Sequence, residues 1–176
     1  MAKIVRITRQ DGYVNFLKGK RLAFSTWFWD ASPFTEGISA VEKRDCRGDI
    51  TCQFIRDNGR YLTRKSFYCA WPFHNGFAIV QREADKKYNF INRRGKIIFK
   101  DWYKDLWDFE VFAGEMYAVV QRDDDLINFI SPDETVASEE WFLTVYRIDE
   151  NGVAEIQLKN NENATFDFND FSINKT

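Results

Sequence analysis

Short apolar runs, each only a few residues long and each closed by a turn residue, recur along the chain. Val14-Asn-Phe-Leu17, Ile38-Ser-Ala-Val41, Cys52-Gln-Phe-Ile55, Phe77-Ala-Ile-Val80, Tyr88-Asn-Phe-Ile91, Tyr117-Ala-Val-Val120, Ile127-Asn-Phe-Ile130 and Val153-Ala-Glu-Ile156 are the clearest. Runs this short, rich in aromatic and β-branched residues and bounded by Gly and Asn, predict strands. Asn58-Gly59, Asn75-Gly76 and Asn151-Gly152 mark turns that need positive φ, so the strands are antiparallel and joined by hairpins. The runs are also periodic. An anchoring Phe stands at 16, 54, 90, 129 and 166, in steps of 38, 36, 39 and 37 residues. Such a period is the signature of a repeat array.

Within each unit the order is a short aromatic strand, a Gly turn beside a basic residue, a second strand, an aromatic pair, Phe-x-x-Gly, and a closing strand that begins with Gly. The third copy is the fullest, with Tyr88-Asn-Phe-Ile91, Gly95-Lys96, Trp102-Tyr103 and Tyr117-Ala-Val-Val120. Its Gly114 lies four positions before Ala118, which adds about two residues to that copy. The fourth carries Asp133-Glu134 where Gly-Lys stands elsewhere, which predicts a different turn. The small residue of the closing strand, Ser39, Ala78, Ala118 or Ala154, leaves room for a neighbouring ring.

The pattern resembles the WG-type β-repeat family of bacteria and some of their phages, over residues 13–159. The resemblance implies an all-β repeat scaffold that binds other molecules and brings no shared catalytic motif. The expected architecture is four antiparallel β-hairpin or meander repeats of roughly 37 residues in a curved array, with a small closed propeller-like ring as the alternative. The boundaries are an N-terminal strand or cap at 1–12, repeats at 13–51, 52–86, 87–125 and 126–159, and a partial fifth repeat or tail at 160–176. That tail, with Phe166 and Phe168 on one strand face, has three uses open to it: closing a ring, capping an open array, or donating a strand to a second chain.

Composition strengthens the all-β reading, because 17 Phe, 7 Tyr and 6 Trp describe a core built from rings. Charge adds a polarity that the net −2 conceals. Residues 1–104 carry 21 Lys/Arg against 10 Asp/Glu, whereas residues 105–176 carry 4 against 17. No secretory leader or long apolar segment is visible, so a soluble cytoplasmic protein is expected, or a virion-associated one if phage-encoded, with no membrane partner. Three cysteines, Cys46, Cys52 and Cys69, include no Cys-x-x-Cys pair and fit a reducing compartment.

Chemistry is sparse. The one histidine, His74, falls in a repeat turn, and no zinc set, calcium loop or glycine-rich phosphate loop can be assembled, so no enzyme, cofactor or metal is expected. Binding residues are easier to nominate. Lys18, Lys20 and Arg21, then Arg56, Arg60, Arg64 and Lys65, then Arg93, Arg94, Lys96 and Lys100 recur at the same hairpin, a basic edge if repeats stack. Trp27, Trp102 and Trp141 recur in the aromatic pair and read as core. Trp29, Trp71 and Trp107 fall outside that register and are candidates for exposed contacts. Asp123, Asp124, Asp125, Glu139 and Glu140 form the candidate acidic contact surface. These residues describe a non-enzymatic scaffold for a protein partner or further copies of itself, in a bacterial or phage assembly. The alternative is a module that binds or sequesters a nucleotide or other small anion. Nucleic acid is the weakest candidate, since Gly-Lys belongs to the repeat and charged tips also keep sheet edges from pairing.

Overall fold

A computed structural model describes residues 4–175, and every regular element among them is a strand. The strands form five small antiparallel sheets. The first joins β1 (Ile4–Thr8), β2 (Val14–Lys18) and β3 (Arg21–Leu22). The second joins β4 (Asp30–Ala31), β5 (Ile38–Arg44) and β6 (Ile50–Arg56), and the third β7 (Cys69–Ala70), β8 (Phe77–Gln81) and β9 (Tyr88–Asn92). The fourth holds β10 (Asp105–Leu106), β11 (Glu110–Phe112), β12 (Glu115–Gln121) and β13 (Ile127–Ile130). The fifth runs in order through β14 (Thr144–Ile148), β15 (Val153–Gln157), β16 (Asn163–Asp167) and β17 (Ser172–Lys175).

One plan underlies all five. The closing strand of one sequence repeat pairs with the Phe-bearing strand of the next, as β5 does with β6 and β12 with β13. A short outer strand covers the far edge of the closing strand in four sheets. In the first sheet β1 takes the closing strand's place, and no outer strand lies beyond it among the described residues. Each sheet therefore spans a junction between repeats, which is why no single repeat can fold as an independent block.

The chain divides into two compact units. One is Met1–Lys86 with Phe90–Ile97, the other Lys87–Asn89 with Ile98–Thr176. The core of the first gathers Val14, Phe16, Phe28, Val41 and Ile55. That of the second gathers Phe129, Phe142, Ala154, Ile156, Phe166 and Phe168. All five anchoring Phe residues are at most 1 % exposed, and Ser39, Ala78, Ala118 and Ala154 are fully buried. Phe166 departs from the pattern by one position. It faces Ala154 as Ile130 faces Ala118, so Thr165 takes the place of Phe129.

The turns follow from local chemistry. Glu36-Gly37, Asn75-Gly76 and Ala113-Gly114 each put two successive residues at positive φ, the type I′ geometry that matches strand twist. The extra residues of the third copy lengthen its hairpin into β11 and the start of β12. The fourth repeat's turn is the same as its neighbours', contrary to the expectation from Asp133-Glu134. The Ser131 amide donates to the Thr135 carbonyl as the Asn92 amide does to Lys96, and Glu134 adopts φ +72° where Gly95 has +81°. The Glu134 carboxylate then accepts from the Lys100 amide at 2.8 Å, a contact no glycine supplies. Among the described residues no helix is long and apolar enough to cross a membrane.

Candidate interaction surfaces

In the first, third and fourth repeats the loop before the aromatic pair is held by a buried asparagine. Asn15, Asn89 and Asn128 are all fully buried. Asn128 Nδ2 donates to the carbonyls of Ser138 and Glu140 at 2.8 and 3.1 Å, and its Oδ1 accepts from the Phe129 amide at 2.8 Å. Asn89 brackets Phe99 and Asp101 in the same way, and Asn15 brackets Phe24 and Thr26. One amide thus satisfies backbone groups of a loop that makes no ladder bonds of its own. A second recurrent amide lies at the end of the closing strand, where Gln81, Gln121 and Gln157 donate to the carbonyls of Lys86, Asp125 and Asn161. Each of those three acceptor residues sits at positive φ.

The basic hairpins divide into engaged and available cations. Arg56 donates to the Arg93 carbonyl at 2.8 Å. Arg93 lies 3.8 Å from the Glu36 carboxylate, which also accepts from the Gly76 amide at 3.0 Å. Arg56 thus ties the turn of the second repeat to that of the third, and Arg93 ties the third to the Glu36 turn of the first. Arg60, Arg64, Arg94 and Lys96 are exposed, and their side chains enter no ion pair among the described residues. The turn of the third hairpin packs tightly, since a Cβ on Gly95 would stand 2.7 Å from the Leu62 carbonyl oxygen.

The acidic turn is neutralised locally. Lys87 pairs with Asp123 at 2.5 Å, Arg122 with Asp124 at 2.6 Å, and Lys104 with Asp125. The Arg122 guanidinium holds the Asp124 carboxyl below the usual carboxylate range. It also stacks 4.1 Å over the Trp141 ring. Arg9 repeats the arrangement, bound by Asp11 and lying 4.9 Å from the Trp27 ring. The Trp of the aromatic pair is therefore half-buried beneath an arginine, and its partner ring, Phe28 or Phe142, is the one that fills the core. Glu139 and Glu140 are exposed on the loop that Asn128 secures.

The tryptophans nominated for contact fall into two environments. Trp29 is half-buried between Tyr13, at 5.5 Å, and Arg44, at 4.7 Å. Trp71 and Trp107 share a register of their own. The Trp71 amide donates to the Ile79 carbonyl and the Trp107 amide to Val119, each just past the outer strand of its sheet. Tyr146 takes the corresponding place along the chain, although in the fifth sheet a bulge sets Arg147 rather than Tyr146 opposite Glu155. It lies three residues after Leu143, whose amide donates to Gln157 as that of Lys104 does to Gln121. Relative exposures of 39 % for Trp71, 48 % for Trp107 and 57 % for Tyr146 set these rings apart from the buried core. Trp71, Trp107 and Tyr146 each stand 17 residues after the anchoring Phe of their repeat, at 54, 90 and 129, a spacing the sequence itself carries.

Other chemistry is dispersed. A cleft of about 430 Å³ in the first unit is lined by Arg6, Asp30, Glu42 and Cys52, among others. Arg6 and Asp30 pair with each other at 2.5 Å, and burial pushes the Cys52 thiol up to about 12, far from a reactive thiolate. His74 is exposed on its turn with Asn75 Nδ2 at 3.0 Å from its Nε2. No group of three or more His, Cys, Asp or Glu side chains gathers as a metal set among the described residues.

No protein-family model matches this chain, and no curated protein sequence matches it. Several solved structures do. BamB from Moraxella catarrhalis is 10 % identical, with a TM-score of 0.46 over 98 % of this chain and 61 % of that one. HIRA(644-1017) is 10 % identical, with a TM-score of 0.42 over 83 % and 52 %. A protein of unknown function from Bacteroides caccae is 10 % identical, with a TM-score of 0.37 over 98 % and 72 %. The chain thus spans about three fifths and about half the length of the first two structures it matches.

Proposed function

We propose that this chain is a non-enzymatic β-repeat scaffold of the WG type that binds proteins through its solvent-facing positions. The observation that carries the reading is the recurrence of an exposed aromatic ring at one sequence position of three repeats, Trp71, Trp107 and Tyr146, the first two also at one place in their sheets. Rings kept half in water at a repeated position do not follow from core packing, whereas Trp and Tyr are the residues that dominate protein contacts. The carboxylates of the Asp123 to Asp125 turn are consumed by local ion pairs, which supports binding over acid–base chemistry.

Replacing Trp71, Trp107 and Tyr146 together by Ala tests whether the rings serve the fold or its surface. Exposed sites outside caps and cores shift stability by about 0.5 kcal/mol or less each, so the triple variant is expected to melt within about 5 °C of the parent. A fall of more than about 10 °C in a thermal scan assigns the rings to packing and defeats the proposal.

A further inference from the structure

The charge polarity of the chain coincides with its division into units. The first unit holds 18 Lys/Arg against 9 Asp/Glu, a net +9, and the second holds 7 against 18, a net −11. Some of these charges are spent near home. Arg6 with Asp30, Arg82 with Asp85, Arg122 with Asp124 and Arg147 with Glu155 all pair inside their own unit.

Among the charges left over, two loop pairs stand out. Arg64 and Lys65 precede Phe67, the ring that bridges back to Cys52 in β6. Glu139 and Glu140 precede Phe142, which bridges to Ile127 in β13 in the same antiparallel way. The two pairs occupy the same loop of the repeat with opposite sign. In the hairpin turns Arg94 of the third repeat likewise stands where Asp133 does in the fourth. Arg64, Lys65, Arg94, Lys96, Glu139 and Glu140 are all exposed, and none is in an ion pair among the described residues.

From this we infer that the partner is a second copy of the same chain, bound head to tail, with the basic loop edge of the first unit against the acidic loop edge of the second. The inference rests on the scaffold reading and names its partner. Because one loop frame presents both signs, the Arg64–Lys65 and Glu139–Glu140 pairs are spaced alike along the chain. A symmetric contact of either edge with itself sets like charges together and is excluded by their repulsion. Where each copy offers its basic edge to one neighbour and its acidic edge to another, the contact is heterologous and propagates into a ring or a filament.

Two variants test it, Arg64→Glu with Lys65→Glu, and Glu139→Lys with Glu140→Lys. All four sites are exposed loop positions, and unchanged melting of each variant verifies its fold. Molar mass is measured by light scattering at low ionic strength and near 1 M salt, where screening acts over about 3 Å. The parent is expected above 20.9 kDa at low salt and at 20.9 kDa in high salt. Each variant alone is expected to associate at least ~10-fold more weakly, since its two loop pairs, 64/65 and 139/140, now carry the same sign. An equimolar mixture of the two recovers association, because each supplies the edge the other lacks. A parent that stays at 20.9 kDa at both salts, variants that keep the parental mass, or a mixture that stays monomeric overturns the inference. None of these outcomes touches the proposed role of the exposed rings, which stands or falls on the triple alanine variant and on cross-linking from those positions.

Discussion

Asn128→Ala is expected to destabilise the protein by about 3 kcal/mol, a fall of roughly 6–12 °C in melting temperature. The side chain is fully buried and saturates three backbone groups, the carbonyls of Ser138 and Glu140 and the amide of Phe129. Truncation leaves all three without their partner beside a core that contains Phe129 and Phe142, and each orphaned buried group costs about 1–3 kcal/mol. Partial entry of water to the loop brings the sum down to the figure given. Asn128→Asp is a sharper probe. It keeps the acceptor for the Phe129 amide and sets a carboxylate against two carbonyl oxygens, so the folded state favours the protonated acid. A carboxyl raised in this way binds a proton more tightly when folded than when unfolded. The Asp variant should therefore be weakest near neutral pH and regain stability as pH falls towards the unfolded carboxyl value of about 3.9. Denaturation monitored at two pH values checks both the size and the sign. A loss under about 1 kcal/mol for Asn128→Ala would mean that the loop holds its place without the clamp.

Gly95→Ala carries the second large effect. Gly95 adopts φ +81°, where a side chain costs about 1–2 kcal/mol, and its missing Cβ would lie 2.7 Å from the Leu62 carbonyl oxygen and 3.3 Å from the Thr63 Cβ. The first of these is backbone and cannot rotate away, so overpacking adds about 1–3 kcal/mol. The expected total is about 3 kcal/mol. Gly12→Ala is the internal control, because Gly12 has φ +89° with nothing within 4 Å of a Cβ. It should show the conformational cost alone, about 1 kcal/mol. Equal losses in the two variants, measured by chemical denaturation, would show that the third hairpin does not pack as tightly on the segment after the second as the structure places it.

The spacing of Phe16, Phe54, Phe90 and Phe129 was legible because a ring that is wholly buried in every sheet has no polar substitute. Strand pairing was legible for a related reason, since short alternating runs between Gly and Asn turns leave antiparallel hairpins as the simplest connection. The asparagine before the Phe was visible as part of the motif, yet its role was not. Its partners lie ten and twelve residues on in Asn128, and local patterning says nothing about groups brought together by a returning loop. The same limit hid the fate of the acidic turn, because Lys87 meets Asp123 across 36 residues of sequence. Phe166 misled by identity: a Phe near the expected spacing stands one residue out of register, and only the pairing with Ala154 shows it. Trp27 and Trp141 misled by type, because a recurrent Trp suggests core, while the Arg9 and Arg122 stacks place both rings at the boundary with solvent. Trp71 and Trp107 each stand 17 residues after their anchoring Phe, so their shared position was legible in the sequence, as was that of the exposed Tyr146, which was not nominated.

The most direct measurement is photo-cross-linking from the exposed ring position of a sheet, with a benzophenone amino acid placed at Trp107 in the cell that makes the protein. Trp71 and Tyr146 serve as further sites, and the buried Phe129 as a negative control. A scaffold that binds through these rings is expected to give discrete adducts from the three exposed sites and none from Phe129. An adduct at twice 20.9 kDa identifies the second copy directly. Absence of any adduct from Trp107, Trp71 and Tyr146 alike, with the protein folded and abundant, would contradict the binding role assigned to these surfaces.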